Sequence, residues 1–415
     1  MKSYVIIGNG TAAVGCIEGI RSVDTKGKIT VVSKEDCPSY CRPLISYCLE
    51  GKTDTERMNY RADDFYTANN CTVMYDCYAQ KINHADKTVT LNNDTVIDYD
   101  TLCIATGSSP FVPPMEGIDL VEKKFSFMTK ADMLGIDKAV NKDSRVLIIG
   151  AGLIGLKCAE GLKDRVKSIT VCDLADRVLS SILDNDSAEI VEKNLEANGI
   201  KILLGNSVSK FKSNKAYMKN GEEVYFDILV TAVGVRANIS LISEIGGACG
   251  RGITIDERMS TSIKDIYAAG DCTESVDVSD NTVKVMALMP NAYIQGNCAG
   301  VNMAGGESSV ENTIPMNSIG FFGEHIMTAG SRTSQSDGGV VYEEKHDNGY
   351  KKLYVKDNKL IGFMLIGYVD KAGIYTNMIR NGISLNTVDF ESVKNNPNLF
   401  AFDTEYRGKM LGGVI

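Results

Sequence analysis

The sequence predicts an α/β chain with two Rossmann-like dinucleotide-binding domains followed by a small C-terminal α+β domain. Three observations carry this. An apolar strand, Tyr4-Val5-Ile6-Ile7, breaks into Gly8-Asn9-Gly10-Thr11-Ala12-Ala13. A second strand, Arg145-Val146-Leu147-Ile148-Ile149, breaks into Gly150-Ala151-Gly152-Leu153-Ile154-Gly155. Beyond Pro315 the pattern changes to short strands with no glycine-rich loop. At 415 residues the chain is too long for a single core, so several domains are expected. Their bounds fall at 1–112 with 244–312, at 113–243, and at 313–415.

Composition narrows the class. With 44% hydrophobic and 23% charged residues, the chain is an ordinary globular one. A net charge of −9 argues against nucleic acid or an anionic membrane as partner. No apolar run reaches the roughly 18 residues that a membrane span needs. Met1-Lys2-Ser3 runs straight into the first strand, which predicts no secretion signal. The 12 cysteines follow no disulfide framework, so free thiols in a cytoplasmic setting are expected. Cys-x-x-Cys is absent and the only histidines are His84, His325 and His346, so no metal or cluster site is expected on the chain.

Each element then has a task. Gly8 permits the tight turn, Gly10 lets backbone approach a pyrophosphate, and Ala13 lets the helix pack on the strand. The first helical turn, with Thr11 and Ala12, points N–H groups at the phosphates. Lys28–Ser33 is the next strand, and the following acid, Glu35 or else Asp36, suits the adenosine ribose hydroxyls. In Cys37-Pro38-Ser39-Tyr40-Cys41-Arg42, Arg42 supplies a cation for the FAD phosphates or flavin edge. Cys41 is the candidate redox thiol there, with Cys37 and Cys48 as its neighbours. Residues 56–69 are expected to be helical, 72–75 and 87–91 to be strands. Tyr99–Ile104 is a strand ending in Ala105-Thr106-Gly107. Pro110, Pro113 and Pro114 mark the exit into the second domain.

That domain carries its own ribose acid. Asp173 ends the strand Ser168–Asp173 about 20 residues beyond the glycines, where a carboxylate binds both ribose hydroxyls and repels a 2′-phosphate. The site should therefore prefer NADH to NADPH, with Arg177 nearby to soften that preference. Ser187–Asn198 is an amphipathic helix, 201–204 and 223–230 are strands, and Val233-Gly234-Val235 closes the domain beside the nicotinamide cofactor. The chain then returns to the first domain. Ile266–Ala269 is a strand that delivers Gly270-Asp271, with Asp271 placed for the ribityl chain. With Ala105-Thr106-Gly107, this return makes the first glycine loop the seat of FAD. A helix follows over Met289–Met303, with Pro290 in its first turn. In the last domain 319–322, 340–344, 351–355 and 359–366 are strands and 372–381 is a helix. Phe321 and Phe322 read as core, with a reach toward the flavin as the alternative.

Taken together, these motifs resemble the FAD- and NAD-dependent pyridine nucleotide–disulfide oxidoreductase superfamily over essentially the whole chain. Tyr40-Cys41-Arg42-Pro43-Leu44, Lys351-Lys352-Leu353, Gly362, Gly367 and Lys371-Ala372-Gly373-Ile374 narrow the likeness. They are similar to NADH:rubredoxin oxidoreductases, to the flavin part of nitrite reductase large subunits, and to NADH-linked flavin subunits of multi-subunit oxidoreductases. The resemblance implies a hydride passing from NADH to FAD, then electrons to a redox partner protein: rubredoxin, ferredoxin or an iron–sulfur subunit. It also implies a homodimer or a subunit of a larger complex. Such relatives often pair a lysine and a glutamate beside the flavin; here Tyr47 and Lys157 stand at those positions, leaving Lys52 as a substitute cation. Lys52 and Ala79 complete the expected FAD set. The catalytic cysteine of thiol-dependent relatives aligns nearer Pro43 than Cys41. The rival readings are a thiol-based NADH oxidase or disulfide reductase using Cys41, and a flavoprotein subunit without catalysis.

Overall fold

The structure, a computed structural model, describes residues 1–346 and 349–411. It divides into two compact units, Met1–Ser275 with Val285–Glu311, and Val276–Lys284 with residues from Asn312 onward.

The first unit opens with β1 (Ser3–Ile7), α1 (Thr11–Val23), β2 (Lys28–Val32), α2 (Leu44–Glu50), β3 (Cys71–Met74) and β4 (Thr101–Ile104). β5 (Ser108–Pro110) and β6 (Lys124–Phe125) lead to α3 (Lys130–Ala139), β7 (Arg145–Ile149), α4 (Leu153–Leu162) and β8 (Ser168–Cys172). Then come α5 (Asn185–Ala197), β9 (Ile200–Leu203) and β10 (Ile228–Thr231). β11 (Val235–Ala237) makes the return, followed by β12 (Ile266–Ala268) and α6 (Met289–Ala304).

Two five-stranded parallel sheets result, in the orders β12-β4-β1-β2-β3 and β9-β8-β7-β10-β6. Their central strands are buried on both faces, which is why β1 and β7 are continuous apolar runs rather than alternating ones. α1 and α6 cross at backbone contact distance. A Cβ on Gly15 would lie 2.3 Å from Tyr293 O, and one on Gly300 would lie 2.1 Å from Cys16 O. That closeness fixes α6 against the helix that leaves the first glycine loop. The chain passes between the two sheet halves through β5 and β11, which pair antiparallel with Ala237 opposite Ser108.

The second unit is α+β, as expected. β13 (Met316–Phe321), β14 (Glu324–Gly330), β15 (Val340–His346), β16 (Gly349–Lys356) and β17 (Lys359–Ile366) form an antiparallel sheet in the order β13-β14-β17-β16-β15. α7 (Ala372–Arg380) covers it through Ala372, Tyr375, Met378 and Ile379, against Leu353, Phe363 and Leu365. Phe321 is wholly buried. The hairpin Val276–Lys284 belongs to this unit, where buried Asp277 is 2.8 Å from Lys284 Nζ. No helix among the described residues is long and apolar enough to cross a membrane.

Two local expectations fail for identifiable reasons. Residues 56–69 are not one helix; only Phe65–Ala68 is helical. The Asp54 carboxylate accepts the Glu56 and Arg57 N–H groups, and the segment then pairs with residues 39–41 through Cys41 N–H to Met58 O and Tyr60 N–H to Ser39 O. Residues 223–230 are two strands, because Asp227 turns inward to accept the Arg145 N–H at 2.8 Å and its guanidinium at 2.9 and 3.0 Å.

Candidate functional site

The two glycine loops are built alike. Gly8 N–H donates to Val32 O, and Gly150 N–H donates to Cys172 O, so each turn is bonded to the neighbouring strand. Both glycines have φ of +115°, and a Cβ would strike Ala105 O at 2.0 Å on Gly8 or Ala232 O at 2.3 Å on Gly150. Only glycine meets both demands. The Ala105-Thr106-Gly107 turn and the Ala232-Val233-Gly234 turn therefore occupy matching places, one against each loop.

Gly10 and Gly152 face open space, with nothing within 4 Å of an added Cβ. They are the N-caps of α1 and α4, and neither helix start has a side-chain cap. α2 and α6 also start without a side-chain cap, but neither follows a glycine turn. α3 is closed by Thr129 and Asp132, α5 by Asp184 and Ser187, each a reciprocal capping box. At both glycine loops the helix start thus keeps N–H donors without a side-chain acceptor, at Thr11, Ala12 and Ala13 and at Leu153, Ile154 and Gly155. That combination fits the pyrophosphate of a dinucleotide at each loop.

Around the first loop the structure gathers Gly270, Asp271, Glu35 and Arg42. Gly270 N–H donates to buried Gln295 Oε1 at 2.8 Å, which sets the turn that carries Asp271. Burial raises the Asp271 carboxyl, while the Arg42 guanidinium and the Ser108 hydroxyl pull it down. Arg42 reaches Glu35 at 2.5 Å and the Met128 carbonyl at 3.1 Å. The other Glu35 oxygen accepts the Tyr40 hydroxyl at 2.7 Å. Both Glu35 oxygens are thus engaged within the chain, and Asp36 is exposed. Lys52 pairs with Glu50 at 2.6 Å at the exposed end of α2. Ala79 opens the strand Ala79–Asn83 and packs against the cluster of Val32 and Cys77.

At the second loop, Asp173 Oδ2 accepts the Ala151 N–H at 2.6 Å and Oδ1 the Ala175 N–H at 2.9 Å. The acid is held against the glycine loop by backbone donors. Arg177 is 2.8 Å from Asp176 and also bonds the Leu183 carbonyl. Cys41 lies 3.9 Å from Met289 Sδ, and burial raises its thiol, as it does those of Cys37 and Cys48. All twelve cysteines are free. Among the described residues no cluster of three or more His, Cys, Asp or Glu side chains is placed to hold a metal ion.

Gln295 escaped the sequence reading: it is a single amide on α6 whose partners Gly270, Thr273 and Ser275 lie 25, 22 and 20 positions away, so no local motif signals it.

Two uncapped helix starts behind matched glycine turns define a protein that holds two dinucleotides. The chain belongs to the pyridine nucleotide-disulphide oxidoreductase family, whose model matches residues 2–296. Residues 315–383 match the rubredoxin NAD+ reductase C-terminal domain. Members of this family use FAD and NADH, and the chain is an NADH-dependent flavin oxidoreductase. It is 30% identical over 385 residues, 91% of each chain, to the NADH-dependent phenylglyoxylate dehydrogenase subunit epsilon of Aromatoleum evansii. It is 34% identical to the NADH oxidase of Methanocaldococcus jannaschii, over 73% of this chain and 70% of that one. The solved NAD-dependent persulfide reductase of A. fulgidus superposes with a TM-score of 0.85 at 27% identity, over 93% of this chain and 78% of that one.

Proposed function

We propose that the protein takes electrons from NADH and passes them to a separate iron protein, a rubredoxin, a ferredoxin or an iron–sulfur subunit of a complex. The observation that carries this is the match of residues 315–383 to a domain described from rubredoxin reductases. The free, burial-raised thiols lend no support to an acceptor within the chain. The rival acceptors are oxygen, in keeping with one relative's name of NADH oxidase, and a small disulfide, as the thiol-based reading through Cys41 would have it.

In this reading residues 1–112 and 244–312, apart from the hairpin Val276–Lys284 and Asn312 that belong to the second unit, bind FAD, 113–243 bind NADH and 313–415 form the partner-facing domain. Gly8, Gly10, Thr11, Ala12 and Ala13 receive the FAD pyrophosphate on the first turn of α1. Arg42 supplies the cation beside it, and Asp271 accepts from the ribityl hydroxyls. Glu35, held by Tyr40 and Arg42, presents its carboxylate to the adenosine side. Gly150, Gly152, Leu153, Ile154 and Gly155 receive the NADH pyrophosphate, Asp173 takes the ribose hydroxyls, and Gly234 lets backbone pass close to the nicotinamide. FAD supplies the conversion from two-electron to one-electron chemistry that side chains lack. What the chain contributes is orientation of the two rings and exclusion of water.

The test is anaerobic. Protein reduced with one equivalent of NADH is mixed with rubredoxin, ferredoxin, a small disulfide or oxygen, and flavin reoxidation is followed. Fast reoxidation by an iron protein is expected; competence with disulfide or oxygen alone would overturn the proposal.

A further inference from the structure

Asn238 follows β11 on the strand that returns from the second sheet half, and it is bonded to the Thr106–Ser109 turn at four points. Its Nδ2 donates to Thr106 O at 2.8 Å, while the Thr106 hydroxyl donates to Asn238 O at 2.9 Å. Its N–H donates to Gly107 O at 3.0 Å, and the Ser109 hydroxyl donates to its Oδ1 at 2.8 Å. The same turn is a wall of the first glycine loop. Ala105 O fills the place where a Gly8 Cβ would stand, and Ser108 Oγ lies 3.5 Å from Asp271 Oδ2. Thr106 and Gly107 also lie against the Cys272 thiol, the residue after Asp271.

We propose that Asn238 is a positioning residue for FAD: it locks the 105–109 turn that sets the spacing between Gly8 and Asp271. This rests on the assignment of FAD to the first loop. The amide is suited to the task because one side chain donates to Thr106 O and accepts from Ser109 at once. Without it the turn keeps the two bonds to the Asn238 backbone but loses the pair that fixes its tilt. The second half is then joined to the FAD wall less firmly.

The test is FAD release from the holoprotein, followed by recovery of flavin fluorescence, together with the melting temperature of each FAD-free protein. Asn238→Asp keeps the acceptor for Ser109 and sets an oxygen against Thr106 O; Asn238→Ala removes both bonds. Both variants are expected to raise the FAD dissociation constant about tenfold or more, the scale of two lost hydrogen bonds. Ser109→Ala, at an exposed residue, is expected to give a smaller rise with the fold intact. Supporting results also include a shifted flavin absorbance band in Asn238→Asp at saturating FAD. An unchanged dissociation constant in Asn238→Asp overturns the proposal. So does a loss of FAD that merely follows a lowered melting temperature of the FAD-free protein. If the wild-type protein has no affinity for FAD, the FAD assignment fails first and this inference fails with it.

Discussion

The Lys157 ammonium on α4 lies 4.9 Å from the centroid of the Tyr47 ring on α2, and it is also ion-paired with Glu160. Lys157 and Glu160 side chains are only 14% and 8% exposed, so this is a buried pair at a helix–helix contact. The likeness to relatives implies a lysine on the α2 side and a glutamate on the α4 side. Here the cation has moved to α4, an aromatic face receives it, and Glu160, one turn further on, supplies the carboxylate.

Removing the ammonium should therefore cost more than an ordinary surface charge. Lys157→Met is expected to destabilise the protein by about 3 kcal/mol, since it takes the ammonium out of a buried ion pair. Lys157→Met with Glu160→Leu should recover most of that loss, because both charges of the buried pair are then gone. Guanidinium unfolding of the two variants checks this. A double variant no more stable than the single one would show that the pair is not the source.

The Cys41 thiol predicts a negative result. Burial raises it, and its sulfur neighbour is Met289 Sδ rather than another cysteine. Cys41→Ser is expected to keep FAD, to be reduced by NADH within about twofold of the wild-type rate and to turn over with the iron-protein acceptor. The wild-type thiol should alkylate slowly at neutral pH and faster only as pH rises into its elevated range. Loss of turnover in Cys41→Ser, with flavin reduction intact, would favour thiol chemistry.

Much of this architecture was legible because the chemistry is local. Strand, glycine turn and helix lie within a dozen residues, so both dinucleotide loops could be read directly, as could the helix at Met289–Ala304. The expected helix over 56–69 failed because Asp54 offers its carboxylate to the backbone, a competition that hydrophobic periodicity does not register. Asn238 was illegible for another reason. Its four bonds join residues about 130 positions apart, and only the β5–β11 crossing brings them together. Glu35 was picked out by spacing, yet its engagement with both Arg42 and Tyr40 is a tertiary fact.

Coenzyme preference should depend on Asp173 in a particular way. Its carboxylate orders the second glycine loop through Ala151 N–H, so Asp173→Ser should weaken NADH by roughly tenfold, the worth of a charge-assisted hydrogen bond. A gain of NADPH use should remain small in that variant, because Arg177 is engaged by Asp176 and the Leu183 carbonyl. Asp173→Ser with Asp176→Ser is expected to raise NADPH affinity further by releasing the guanidinium from its carboxylate partner, leaving only carbonyl bonds to hold it. Stopped-flow flavin reduction with both coenzymes measures each effect. Equal NADPH affinity in the single and double variants would exclude Arg177 as the latent phosphate ligand.

If Asp271 holds FAD as proposed, it should link FAD binding to pH, and the sign follows from its surroundings. In the FAD-free protein burial raises its carboxyl above the ordinary value of 3.8, against the opposing pull of Arg42 and Ser108. A raised carboxyl holds its proton more tightly in the folded than in the unfolded state. It therefore penalises folding at pH above its folded value, and the penalty disappears as pH falls through that value. Asp271→Asn should melt higher than the wild-type FAD-free protein at pH 7, and the gap should close toward acid. On the proposed placement of Asp271 binding would reverse the balance, because ribityl hydroxyls donating to the charged carboxylate would favour its ionised form. FAD binding should then release a proton, and affinity should fall as pH drops through the Asp271 range. In Asp271→Asn the affinity should be lower at pH 7, by about tenfold, and that part of the pH slope should vanish. Titrations of FAD into the FAD-free protein across the acid range, in buffers of different ionisation enthalpy, measure both the slope and the proton released. An Asp271→Asn protein with the wild-type slope would show that some other carboxylate carries the linkage.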